Sequence, residues 1–101
     1  MKLSDLPAIP FHPGRILQEE FLTPLGITQT QLAKHIIAAL RRVNEICRGR
    51  RSVSPQTASL LSQAFGATAQ FWLNGQITYD LAAQKQKNRI YDVGPIVKST
   101  G

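Results

Sequence analysis

The sequence predicts a single all-α domain built from five short helices. Three observations predict it. Apolar residues recur at intervals of three and four along most of the chain. Helix-start signals precede these runs: His12-Pro13, Thr28-x-x-Gln31, Ser54-Pro55 and Thr68. Glycines at positions 26, 49 and 66 follow them. A chain of 101 residues leaves room for one core only.

Residues 1–12 form a leader. Pro7, Pro10 and the pair His12-Pro13 keep it extended. Pro13 suits the first helical position, where a missing N–H costs nothing. The first helix is expected over 13–22, with Ile16, Leu17, Glu20 and Phe21 on one face and Pro24 and Gly26 ending it. Thr28 and Gln31 form a capping box for the second helix, whose inner stripe is Leu32, Ala33 and Ile36. Ile37 and Ala38 make the corner. The third helix follows over about 39–48, with Val43, Ile46 and Cys47 inward and Gly49 as a left-handed stop. Ser54-Pro55 starts the fourth helix, which buries Ala58, Leu61, Ala64 and Phe65. Thr68 caps the fifth, which carries Phe71, Trp72, Leu73, Ile77, Leu81 and Ala82. The domain is expected over 13–87, with a less ordered tail over 88–101.

The charge balance narrows the function. Twelve Lys and Arg stand against six Asp and Glu, a net charge of +6 that favours a polyanionic partner. Five arginines and one acid, Glu45, lie between Arg41 and Arg51, so this segment holds four of the six net charges. Arginine presents a planar fork of donors that matches phosphate and the guanine edge. On the third helix, Arg41, Asn44 and Arg48 recur at intervals of three and four, with Leu40 and Glu45 beside them. Such a helix is suited to the DNA major groove. Arg41 and Asn44 are expected to read bases, with Arg42 on a base or a phosphate. Arg48, Arg50 and Arg51 fall where phosphate contact is expected. Gln29, at the start of the second helix, is expected to donate to a phosphate.

Other functions find little material. No Cys/His set has metal-ligand spacing, no glycine-rich phosphate loop is present, and no cofactor is expected. Glu19 and Glu20 are adjacent and diverge on a helix, so they form no catalytic pair. His12 reads as a cap or loop residue, His35 as exposed, and the single cysteine, Cys47, as packing. The chain is therefore expected not to be an enzyme. An RNA-binding or protein-binding module with a basic face is the other reading. Sequence-specific RNA readers, however, stack bases on exposed aromatics, and the aromatics here sit at apolar helical positions. No apolar run approaches membrane-spanning length and no secretory signal opens the chain, so a cytoplasmic location is expected.

One set of motifs is more specific. His12-Pro13-Gly14-x-Ile16-Leu17-x-Glu19-x-Phe21-Leu22-x-Pro24-Leu25-Gly26 precedes the helix pair. Asn44-Glu45-Ile46, Gly49-x-Arg51, Thr57-Ala58 and Phe71-Trp72-Leu73-Asn74 follow in order. Together they resemble the HigA family of antitoxins, within the Xre/Cro repressor-like helix-turn-helix group. The resemblance covers roughly residues 12–83. It implies a lambda-repressor-like fold and a homodimer that represses its own operon at a palindromic operator. It also implies a HigB-type toxin partner, a small mRNA-cleaving nuclease. Some relatives of this pattern act as regulators without a toxin. The resemblance carries the groove-entering role onto Arg41, Arg42 and Asn44. The chain departs from the family pattern at Ile37, where glycine is usual, and at Gly75, where a larger apolar residue is usual. Pairing about a two-fold axis sets half-sites about 34 Å apart. The fifth helix is the expected dimer contact, with Trp72, Gly75 and Tyr79 as its residues.

Overall fold

The computed structural model describes residues 11–87 and 93–97. Residues 1–10 of the leader expected over 1–12 and the tail segments 88–92 and 98–101 lie outside the described residues. Five helices and no strand are found among the described residues.

The first helix, α1, covers residues 13–25 and is longer than its sequence suggests. It begins as an α-helix at Pro13–Ile16, widens to a π-helix over Leu17–Leu22, and returns to α at Thr23–Leu25. The wide turn explains why Pro24 does not end it. A proline in a helix gives no N–H to the carbonyl four residues back, and its ring crowds that carbonyl. In α1 the hydrogen bonding has already shifted, with the Thr23 N–H donating to Gln18 O. The same shift turns Leu17 and Leu22, five apart, into the core, at 2% and 0% exposure. Gly26, at φ 68, closes the helix.

The remaining helices follow their caps. In α2, Gln29–Ile36, the Thr28 hydroxyl accepts from the Gln31 N–H at 3.0 Å and Gln31 Oε1 accepts from the Thr28 N–H at 2.8 Å. In α3, Leu40–Cys47, Val43 and Ile46 are buried. Gly49, at φ 74, ends it, with the Arg50 N–H donating to Glu45 O at 2.8 Å. Ser54 caps α4, Pro55–Phe65, and Thr68 caps α5, Ala69–Gln86, each through its hydroxyl. α1 packs on α3 and α5, α2 on α3 and α4, and α4 on α5. Trp72 is wholly buried where these elements meet, 5.2 Å from the Phe21 ring and 5.1 Å from Phe71. Full burial of each large apolar side chain stabilises the fold by about 1.5–3 kcal/mol.

The corner between α2 and α3 is strained. Ile37 adopts φ 55 and ψ 52, the conformation that glycine supplies at positions 26, 49 and 66. Its role is that of a left-handed cap, since the Ala38 N–H donates to Ala33 O at 2.9 Å. A β-branched residue there costs about 1–2 kcal/mol. The side chain recovers little through burial, being 91% exposed.

His12 joins three elements. Its Nδ1 accepts from the Gly14 N–H at 2.9 Å, its ring meets Tyr79 of α5 edge-on at 5.0 Å, and Gly49 is near enough that a Cβ there would touch the imidazole. Burial lowers its pKa from the ordinary 6.5, while the charge of Asp80 acts in the opposite direction. The cap uses the neutral ring, because a protonated Nδ1 has no lone pair to accept with.

Two expected outcomes follow from these contacts. Ile37→Gly relieves the strain at the expense of some unfolded-state entropy, so stability should rise by about 1 kcal/mol. For a domain of this size that is a melting temperature higher by roughly 4–8 °C, and an unchanged or lower value contradicts the strain. For His12 the sign is that of a depressed pKa. Its contribution is complete above pH 6.5 and is lost as pH falls below that value, because the unfolded chain takes up the proton first. His12→Asn keeps a capping acceptor and should flatten the melting temperature between pH 6.5 and 5, relative to the parent. Parallel pH profiles for the two proteins exclude the role.

Candidate nucleic-acid interface

The polar side of α3 faces out because its apolar side is held. Val43 and Ile46, each 2% exposed, lock it into the core, and Gly14 of α1 lies directly beneath the Ile46 carbonyl. A Cβ at position 14 would overlap that carbonyl oxygen, so only glycine permits this crossing. Opposite this anchored face stand Arg41, Glu45 and Arg48.

Arg41 is the most open of the expected base readers, with its side chain 90% exposed. Glu45 lies between two arginines. Its Oε1 is 3.4 Å from Arg41 Nε and 3.4 Å from Arg51 Nη2. Exposed pairs of this kind contribute about 0–1 kcal/mol, so both guanidinium groups stay available to a stronger anion. Arg48 and Arg50 are exposed, and Arg42 is half-buried. Ala39 gives no side-chain cap to α3, which leaves its first N–H groups uncapped from that residue. Leu40, 47% exposed, stands at that end.

The loop carrying Arg50 and Arg51 is fixed from α5. Buried Gln76 accepts from the Val53 N–H through Oε1 at 2.9 Å and donates from Nε2 to Asp80 at 3.0 Å. Sequence reasoning missed Gln76. A lone glutamine on an apolar helix face gives no local signal of a partner 23 residues away.

Two expectations are corrected in geometry. Asn44 does not share the fully exposed stripe of Arg41 and Arg48. It is half-buried on the flank toward α2, and its Nδ2 donates to Gln29 Oε1 at 3.1 Å. Gln29 is likewise not a free side chain, since its Nε2 donates to Gln18 Oε1 at 2.8 Å. Each amide keeps a second N–H, so neither loses all capacity to donate. Gln18 was not singled out from the sequence. Gln29, Thr30, Leu40, Arg41 and Asn44 together line an open groove between the starts of α2 and α3.

The residues expected at a dimer contact also serve the chain's own fold. Trp72 has no exposed surface. A Cβ on Gly75 would stand 3.5 Å from Pro13, in ordinary contact with α1. Tyr79 packs edge-on against His12. All three lie on the side of α5 that faces α1, because a helix turns about 100° per residue and positions 72, 75 and 79 coincide. The uncovered apolar residues of α5 are instead Phe71, Ile77 and Leu81, at 45%, 56% and 63% exposure.

Burial pushes the Cys47 thiol up to about 11, so it is protonated at neutral pH and packs against the core. No cluster of three His, Cys, Asp or Glu that could hold a metal occurs among the described residues. No helix among them is long and apolar enough to cross a membrane.

The arrangement is matched in known proteins. Residues 18–72 match the helix-turn-helix family. Virulence-associated protein I of Dichelobacter nodosus is 43% identical, over 92% of this chain and 85% of its own length. The structure of Pseudomonas aeruginosa antitoxin HigA with the higBA promoter superposes with a TM-score of 0.78 at 36% identity, over 87% of this chain and 99% of that one. Antitoxin GraA in complex with its operator gives a TM-score of 0.80 at 38% identity, over 88% of this chain and 93% of that one. With α2 and α3 as its helix pair, this chain belongs to the helix-turn-helix family and, within it, to the group of the HigA antitoxins.

Proposed function

We propose that the protein is a sequence-specific DNA-binding repressor that acts as the antitoxin of a HigBA-type module. A homodimer would bind a palindromic operator upstream of its own gene and neutralise a small mRNA-cleaving toxin. The observation that carries this reading is the anchored α3, with Arg41 held outward and an arginine-rich loop fixed behind it. In this reading Arg41, Arg42 and Asn44 face bases. Arg48, Arg50, Arg51 and Gln29 face phosphates. The solved HigA and GraA structures with promoter and operator DNA support the same use of the fold. The uncovered apolar side of α5 is the surface offered to the second copy. The protein works by binding in the cytoplasm and not by catalysis, in keeping with a protonated Cys47 and a His12 engaged in capping.

A second reading is a regulator of the same group with no toxin. It is favoured by 35% identity, over 71% of this chain, to an HTH-type transcriptional regulator of Haemophilus influenzae. Co-expression with the product of the adjacent small gene separates the two, since a stable complex that restores growth supports the antitoxin.

Gel-shift titration on the upstream DNA tests the DNA half. Arg41→Ala should weaken operator binding by about 1–3 kcal/mol and relax one operator position, with a smaller loss on random duplex. Equal losses on both count against base reading. Affinity should also fall steeply with salt, with a log–log slope of roughly −5 to −9 for about six to ten neutralised phosphates per dimer. A flat response excludes binding through the arginine segment.

A further inference from the structure

Gln18, Gln29 and Asn44 come from three different helices and form one line of carboxamides. Asn44 Nδ2 donates to Gln29 Oε1 at 3.1 Å, Gln29 Nε2 donates to Gln18 Oε1 at 2.8 Å, and Gln18 Nε2 donates to Thr23 Oγ1 at 3.1 Å. Every bond runs in the same direction, from α3 through α2 to α1. Each amide has one end that only donates and one that only accepts. Turning one over therefore places donor against donor unless its neighbours turn as well. The line consequently has a polarity, and the polarity fixes which groups Asn44 and Gln29 leave outward. With Asn44 Nδ2 committed to Gln29, Asn44 keeps one N–H and its Oδ1, the pair an adenine edge requires.

We propose that Gln18, outside the helix pair, is a positioning residue for sequence recognition: by accepting from Gln29 it sets the polarity of the relay and so the face that Asn44 presents to a base. The inference rests on the reading of α3 as the DNA-reading helix. Gln18 itself touches no base. Its effect passes through Gln29 to a residue 26 positions further along the chain. The wide π turn contributes here, because Gln18 and Thr23 lie five apart within one helix and are joined through their side chains.

Substitutions separate polarity from charge. Gln18→Glu offers acceptors only and preserves the observed direction. Gln18→Lys offers donors only, so Gln29 must turn its Oε1 toward α1 and its Nε2 toward Asn44, which reverses the line. Gln18→Leu cuts it. The charge changes alter affinity for operator and random duplex alike, whereas a polarity change alters the preference among bases. The experiment is selection from a duplex library randomised over each half-site, with the parent and the three variants. Thermal melting first confirms that each variant is folded.

The parent and Gln18→Glu should select the same base at every position. Gln18→Lys should switch the preferred base at one position per half-site, and Gln18→Leu should lose about tenfold discrimination at that position. A preference profile unchanged in both Gln18→Leu and Gln18→Lys overturns the inference. A parent that selects no sequence overturns instead the reading of α3 on which it rests. The side-chain amide resonances of Gln29 and Asn44 in the DNA-free protein give an independent readout. They should move in Gln18→Leu and Gln18→Lys, and unmoved resonances contradict the relay.

Discussion

The pose of α3 depends on a contact with no side chain in it. Gly14 brings the α1 backbone against the Ile46 carbonyl, at a distance no other residue permits. Two residues earlier, His12 caps α1 beside Gly49, the residue that ends α3, so close that a Cβ there would touch the ring. The same crossing therefore starts one helix and stops the other. The sequence His12-Pro13-Gly14 is thus a single device. The imidazole accepts the backbone N–H, the proline fixes the entry angle, and the glycine lets the helices touch. Tyr79 and Pro13 then bring α5 to the same point, so three helices share one rigid corner. The outward face of α3 is the consequence, because a helix held this tightly on one side has only the other to offer.

Rigidity at that corner contrasts with strain at the next. Four residues among those described have positive φ at helix ends, and Ile37 is the one that pays a steric cost for it. Its side chain gains little by burial against the described residues, being almost fully exposed. The strain survives because Leu32, Ala33 and Ile36 before it and Val43 and Ile46 after it are all buried. Their packing fixes both helices, and the corner must join them whatever residue stands there.

Much of this was legible in the sequence. The caps at Thr28, Ser54 and Thr68 and the stops at Gly49 and Gly66 are local chemistry, and local chemistry is read at short range. The misreadings all involve longer range. Pro24 suggests an end to α1 only if the helix is α throughout; a wider hydrogen-bonding pattern is a property of the folded backbone. Asn44 lies at helical spacing from Arg41, but spacing alone does not reveal which flank of α3 meets α2, so the half-burial and the bond to Gln29 were hidden. For Trp72, Gly75 and Tyr79, the periodicity groups them correctly on one face of α5. It does not say that α1 of the same chain covers that face.

Electrostatics and geometry divide the work of the interface. The arginine segment supplies a positive field that is indifferent to sequence, and its exposed pairs with Glu45 are too weak to hold it closed. Glu45 Oε1 is the shared partner of Arg41 and Arg51, at 3.4 Å from each. The carboxamides on the α2 side act differently. Uncharged and directional, they attract no polyanion from a distance, and in the proposed use they would fix orientation once contact is made. A helix carrying charge on its crest and ordered amides on its flank would, as a DNA reader, combine two functions that no single residue type supplies: attraction that reaches across a Debye length, and selection that operates only within hydrogen-bonding range.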